Sequence, residues 1–518
     1  MVNVDELSCD VLVIGSGAAG LMAAIEARRK GVDVVLASKT SPGYSTCTMY
    51  SAGAFRVAVN SYGVEKHFND TLAGGGMLNS KALVWRMVNE APKRIPKLLD
   101  LGVKLAASGG YIFIGKPPYP GYSIVNPLVK AAGSLGVKFL SNTIVTDIVK
   151  EGEEVLGVIA LDLEKMRILA VSAKAVVLAA GGCGQVYLRT DNPLRITGDG
   201  YALGLQVGVE LIDMEFIQFF PLGLADGAIW MIPVSRGKLE NSLGEDILQK
   251  YGLNVNLHEA IIMMRDKLSR AIMLEAKAGR NVILDYSEAL NNPDRLTKIA
   301  LHVLSRLKKT VVKILPLAHF AMGGIKINEN AETSLKGLYA CGEVAGGIHG
   351  ANRIGGNALT EAVVFGSIAG EEAARRALEC KINKIDLKHT FRLKEELGKL
   401  GEGVYSPREV KNAIKNLAWN LVGIIRSGEG LRQALNMLKT IEQYRVKARN
   451  RIELLEAFEA LSMVKTVKAI TLSALTRTES RGAHFREDYP NEDGKWLKNI
   501  VIRLENSEFK VDVKPLTT

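Results

Sequence analysis

Cysteine is scarce, with five residues in a chain of 518. Cys9, Cys47, Cys183, Cys341 and Cys380 lie far apart and form no C-x-x-C pair. That excludes a disulfide framework and the ligand spacing of zinc or iron–sulfur sites. No apolar run reaches the roughly 18 residues that a membrane-spanning helix needs. The opening MVNVDELSCDVLVIGSG is acidic and lacks the basic segment of a secretory signal. These absences lead to the expectation of a soluble, cytoplasmic protein. Glutamine is also rare, at six residues, and Gln-poor, charge-rich usage leans towards a thermophilic source. Internal repeats and low-complexity tracts are missing. With 47% hydrophobic and 23% charged residues, the composition is globular and excludes disorder and fibrous arrays.

What is present in excess is glycine and positive charge. The chain has 51 glycines but only 15 prolines, which points to tight backbone turns around a ligand rather than to linkers. Lys and Arg total 66 against 55 Asp and Glu, a formal charge of +11. The basic residues are scattered over helix-like segments, and no basic run is interleaved with aromatics. A solvated surface is therefore expected, and no nucleic-acid partner. The length allows three to four units of about 150 residues.

The first segment with chemical content is Asp10 to Lys39. Val11-Leu12-Val13-Ile14 reads as a strand buried on both faces. Gly15-Ser16-Gly17-Ala18-Ala19-Gly20 follows at once, then a helix from Leu21 to Arg29 closed by Gly31, then a second strand from Val32 to Ala37. In such a unit Gly15 permits the tight turn, Gly17 lets backbone approach a pyrophosphate, and Gly20 allows close helix–strand packing. The helix start then offers N–H groups to phosphate. An NAD site would place Asp or Glu after the second strand. Here Ser38-Lys39 stands there, which leaves NADP or FAD.

Two later stretches narrow this. AKAVVLAAGG (Ala173 to Gly182) is another buried strand ending in small residues, and TSLKGLYACGEVAGG (Thr333 to Gly347) ends a strand in Gly342-Glu343. With the first unit they resemble the FAD-binding domain of two-dinucleotide-fold flavoproteins, where the late acid, here Glu343, holds the ribityl chain. The resemblance implies FAD, held by Gly15, Gly17, Ala18, Ala19 and Gly20 and by Ser38 and Lys39. It adds Ser45, Thr46, Ser51, Ala52 and Gly53, then Ala180, Gly181 and Asp199. Glu343, Asn357, Ala358 and Leu359 complete the set.

Three further motifs are HFAMGGI (His319 to Ile325), IHGANRIGGNAL (Ile348 to Leu359) and RTESRGAHFREDYP (Arg477 to Pro490). The ordered set is similar to the flavoprotein subunits of succinate dehydrogenase and fumarate reductase and their relative L-aspartate oxidase. It implies an α/β fold: a Rossmann-like FAD domain in two pieces (residues 1–223 and 321–378), an inserted α+β capping domain (224–320), and a C-terminal helical domain with a short tail (379–518). Helical stretches are expected at Leu257 to Lys277, Leu296 to Lys313 and within Pro407 to Thr476, with a small hairpin between Trp496 and Pro515. By the same resemblance His319 and Arg353 bind a substrate carboxylate. Arg265, in MRDKLSRAI, exchanges a proton, with Arg270 as the competing assignment, and Arg236 relays protons. The implied reaction moves hydride between flavin N5 and one carbon of a C–C bond.

The chain also departs from the family. Where the family reads Q-F-H-P-T, this chain has Gln218-Phe219-Phe220-Pro221-Leu222, and Ile232-Pro233 replaces a Thr-Glu pair. Phe220 and Ile232 are thus expected at substrate-binding positions without donors, and a buried second carboxylate would stay unpaired there. A substrate with one carboxylate and an apolar or different second end fits better. Covalent attachment of FAD in the family uses a histidine after the second strand. The stretch Gly43 to Gly53 has none, Thr46 or Cys47 occupying the region, so non-covalent FAD is expected.

Without an iron–sulfur motif, electrons pass to oxygen, a soluble carrier, a quinone or a separate subunit. The leading reading is a fumarate-reductase-like flavoprotein working with an iron–sulfur or other electron-transfer subunit, which would also hold it at the inner face of a membrane. The alternatives are an L-aspartate-oxidase-like enzyme and a non-catalytic flavin-bearing subunit.

Overall fold

The computed structural model describes residues 3–114, 120–226, 231–307 and 309–516. Its centre is a seven-stranded sheet. Strand Val4–Ile14 lies between Val34–Ala37 and Arg167–Leu178, parallel to both, with Val11 opposite Val34 and Ala175. Lys138–Leu140 extends one side, Leu338–Ala340 pairs with Arg167–Leu178, and Glu154–Asp162 and Thr143–Glu151 continue the sheet antiparallel. Val11, Leu12 and Val13 are completely enclosed, as an apolar run in a sheet covered on both faces must be. Helix Ala18–Arg29 packs along helix Asn357–Glu379. A Cβ on Gly366 or Gly370 would stand 2.5 or 2.2 Å from the carbonyl oxygens of Ala19 and Ala23, so only glycine lets the two backbones meet.

Residues from Phe220 to Leu317 form a second hydrophobic cluster, distinct from the main core. It surrounds an antiparallel sheet of Lys238–Asn241, Val282–Asp285 and Val311–Ile314. The expected long helices differ in detail. Leu257 to Lys277 breaks at Met264 (φ −129°) into Leu257–Met263 and Arg265–Lys277. The second helix runs Arg295–Leu307, and Val311–Ile314 is a strand because its alternating exposed and buried residues pair with Val282–Asp285. This unit joins the main body through the paired strands Ile217–Phe220 and Leu317–Ala321.

The C-terminal helices Pro407–Leu421, Gly428–Ile441 and Arg451–Thr476 pack closely on the body. Their apolar faces (Ile414, Leu431, Phe458, Ile470) belong to the same cluster as the central sheet. The tail is a hairpin, Lys498–Glu505 with Glu508–Pro515, whose first strand pairs with Leu211–Ile212 to complete a five-stranded sheet. Burial of Arg477 against Glu215 (2.6 Å) and Glu479 (3.1 Å) ties the tail region to the body. Among the described residues no helix is long and apolar enough to cross a membrane.

Candidate active site

One cavity of about 1850 Å³ runs from the first glycine turn, past the sheet's carboxyl edge, to the inserted unit. At its start Gly15 has φ +108°, and a Cβ there would lie 2.2 Å from the Ala179 carbonyl oxygen. Helix Ala18–Arg29 has no side-chain cap from Gly17, and its first N–H, of Ala18, donates to Thr48 Oγ1 (3.0 Å), while its N-terminal end faces the cavity as phosphate-binding helices do. Gly17, Ala18, Ala19, Ser38, Lys39, Ser45, Thr46, Ser51, Ala52 and Gly53 all line this cavity, as do Ala180, Gly181, Asp199, Glu343, Ala358 and Leu359. Lys39 reaches Asp199 (2.6 Å) and Glu459 (2.9 Å) and so braces the wall from the C-terminal helix. The Glu343 carboxylate accepts from the Ala321 N–H (3.0 Å), and burial raises its pKa to about 7. An elongated cleft with a glycine turn at one end and a buried acid at mid-length fits FAD.

Two expected cofactor residues do not line it. Gly20 sits 2.0 Å, at its Cβ position, from the Gly15 carbonyl oxygen, which makes it a packing residue of the turn. Asn357 points away, holding His67 (2.9 Å) and Thr71 (3.0 Å) beneath the start of its helix.

At the far end the two paired strands and the inserted unit bring together Phe220, Arg265, His319 and Arg353. His319 Nδ1 bonds Asp191 Oδ2 at 2.6 Å, leaving its other ring nitrogen for the cavity. Burial lowers the His319 pKa, outweighing Asp191. Arg353 Nη2 donates to Gln218 Oε1 (2.8 Å), and Arg265 Nη1 donates to the same oxygen (3.3 Å). Arg265 Nε is fixed on the Ile261 carbonyl at 2.6 Å. Gln218 itself is fully buried and held by donating to Asn352 Oδ1 and the Arg353 carbonyl, both at 2.8 Å. Burial lowers Arg265 to about 10, and burial with the repulsion of Arg265 lowers Arg353 to about 9. Among the described residues neither arginine has an ion pair, and Arg353 Nε has no partner. A buried guanidinium (Arg353) and a half-buried one (Arg265) sharing one neutral oxygen make a donor set suited to an anion.

Phe220 stands between His319 and Arg265, its ring centroid 5.7 Å from the His319 ring and 5.6 Å from the Arg265 guanidinium carbon. Ile232, expected at the substrate, is fully buried in the core of the inserted unit instead, while its neighbours Met231 and Pro233 line the cavity. Arg236, expected as a relay, is exposed and off the cavity. Residues 232–235 are buried and the chain bends at Ser235, leaving Arg236 facing out. Arg270, the competing proton donor, lies over Phe485 (4.6 Å) and away from the cavity, which favours Arg265. Two residues of the site, Asp191 and Gln218, were not expected from sequence. Gln218 stands within the motif that carries Phe220; nothing near Asp191 marks it.

An FAD binding domain family matches residues 10–359, and a fumarate reductase flavoprotein C-terminal family matches 411–518. An uncharacterized FAD-dependent oxidoreductase of Methanocaldococcus jannaschii is 36% identical over 97% of this chain and 98% of its own. One of the subunits of a fumarate reductase (CoM/CoB) of Methanothermobacter marburgensis is 31% identical over 95% of this chain and 97% of its own. A variant of the E. coli quinol fumarate reductase flavoprotein superposes with a TM-score of 0.91 at 27% identity, covering 99% of this chain and 97% of that one.

Proposed function

Because this chain belongs to the fumarate reductase and succinate dehydrogenase flavoprotein family of FAD-dependent oxidoreductases, we propose that it reduces or forms the C–C double bond of a small carboxylate. The observation that carries this reading is the pair of arginines bridged by Gln218 Oε1 (2.8 and 3.3 Å). A carboxylate bridging the same cations would supply negative charge with paired N–H donors.

When bound, FAD supplies a hydride acceptor or donor at its N5. Arg353 then holds the carboxylate, with His319 as a neighbouring donor. Asp191 accepts from Nδ1–H of His319 and orients the ring; Nε2 donates to the carboxylate in the imidazolium form, which the Asp191 charge favours. Fixed positive charge beside the carboxylate stabilises the enolate-like transition state. Arg265 exchanges the proton at the neighbouring carbon. Its Nε bond to Ile261 holds the guanidinium plane, and burial brings its pKa to about 10, making it a stronger acid than a solvated arginine. The inserted unit, carrying Arg265, excludes water when it closes.

FAD is held non-covalently in this reading. No histidine occurs between Gly43 and Gly53, and burial beside Glu343 pushes the Cys47 thiol well above its usual range, which removes it as a nucleophile. Electrons reach the flavin from a separate electron-transfer subunit, iron–sulfur or otherwise. The test is anaerobic: holoenzyme reduced with dithionite is mixed with unsaturated mono- and dicarboxylates while flavin absorbance is followed. Reoxidation by at least one of them is expected, and failure of every one would overturn the reading.

A further inference from the structure

We propose that the cavity continues beyond the two arginines as an apolar channel seating the hydrocarbon part of a monocarboxylic enoate, so that the substrate is a straight-chain or aryl 2-enoic acid or its saturated partner. This rests on the reading above of the anion site. Phe220, Met231 and Pro233 form the wall where a second carboxylate would have to lie. None carries a side-chain N–H or O–H, and a buried carboxylate without donors is strongly disfavoured.

The wall then extends along the inserted unit. His258, Ile261 and Ile262 share the cavity-lining side of helix Leu257–Met263, and Arg265, the first residue of the next helix, lines the same cavity. The apolar surface begins at the reacting end: Ile262 Cγ2 and Arg265 Nη2 lie 3.9 and 3.6 Å from the Cβ position of Gly355, two residues from Arg353. Leu296 and Ile299, three apart on helix Arg295–Leu307, line the same cavity, with Phe113 contributed by the body. Arg295 lies over the Phe113 ring at 4.6 Å, so the two sides of the channel meet there. One helical turn advances about 5 Å, and His258 to Ile262 spans about one turn before Arg265 continues the wall. That is room for a chain of several carbons, with the polar His258, Asp294 and Arg306 also lining the cavity.

In the reductive direction the C=C π bond breaks and two C–H bonds form. A hydride from reduced FAD adds at the β-carbon and a proton from Arg265 at the α-carbon, leaving the saturated acid and oxidised FAD. The carboxylate stays on Arg353 and His319, and the chain attached to the β-carbon enters the channel.

The test uses the holoenzyme, reduced anaerobically and mixed with crotonate, hexenoate, octenoate, cinnamate or fumarate. The reoxidation rate constant per unit substrate is expected to rise about threefold per buried methylene, with fumarate slower than crotonate. A flat series, or fumarate as the fastest member, overturns the channel while leaving the anion site standing. Reoxidation by none overturns both. In Ile262→Asp and Leu296→Asp holoproteins the slope of the series is expected to flatten, and an unchanged slope overturns the placement of the chain. A readout independent of turnover and of variants is binding to the oxidised wild-type holoenzyme, followed by perturbation of the flavin spectrum. Octanoate is expected to bind at least about tenfold tighter than butyrate or succinate, and equal affinities overturn the proposal.

Discussion

Replacing Gln218 by glutamate places a carboxylate where the wild type has a neutral oxygen shared by Arg353 and Arg265 (2.8 and 3.3 Å). A ligand carboxylate taking donors from the same guanidinium groups would lie about 5 Å from that new charge. At an effective dielectric of about 20, two like charges at that distance repel by about 3 kcal/mol, roughly a hundredfold in Kd. Gln218→Met removes the shared acceptor without adding charge, leaving the two arginines more exposed to each other. Its effect on anion affinity is expected to be far smaller, although its stability should fall by about 1–3 kcal/mol through unpaired buried donors. The assay is titration of each holoprotein with a saturated carboxylate, read from the flavin spectrum, with FAD content and Tm as controls. Equal loss of affinity in the two variants, or none in Gln218→Glu, would refute the argument that the pair is an anion site completed by the ligand.

Other outcomes follow from the same geometry. Asp191→Ala frees His319 and is expected to lower kcat/KM by about a hundredfold with FAD content unchanged, measured by steady-state reoxidation. Arg236→Ala, altering an exposed side chain off the cavity, should leave turnover within about twofold; a large loss would mean that Arg236 relays protons after all. Arg477→Ala leaves Glu215 buried without its ion pair, while Glu479 keeps Arg481, so unfolding should show a loss of about 3–5 kcal/mol. His349 is buried with both ring nitrogens unpartnered, and burial lowers its pKa to about 3. Below about pH 6.5 the unfolded chain takes up a proton there that the fold refuses. Relative to wild type, His349→Leu should therefore gain stability as pH falls from 7 to 5, by about 1.4 kcal/mol per unit below pH 6.5; a pH-independent difference would contradict the burial argument.

The turn from Val11 to Gly20 was legible because each residue in it is dictated locally. Four apolar residues make a doubly buried strand, and Gly15 and Gly20 fill positions where a Cβ meets backbone at 2.2 and 2.0 Å. His319, Arg353 and Arg265 were legible through motif resemblance, and the cavity unites them. What failed was facing. Ile232 and Arg236 stand where relatives carry functional groups, yet one enters a core and the other solvent, since side-chain direction depends on what packs across from the strand. Asn357 failed likewise, because its partners His67 and Thr71 lie 290 and 286 residues away. For the helices after 379, amphipathic periodicity reports a buried face but not which elements it packs against.

Lys39, at the edge of the cofactor cleft, is held by Glu459, 420 residues downstream. Thr466 Oγ1 likewise bonds the carbonyl of Gly198, 268 residues earlier. At about 5–20 residues per second of synthesis, the glycine turn emerges roughly 20 to 90 s before the helix that braces the opposite wall. A nascent chain in that interval has its dinucleotide motif but not the completed cleft. Flavin loading thus becomes a late event, timed by the arrival of helix Arg451–Thr476 rather than by the motif that recognises the phosphates.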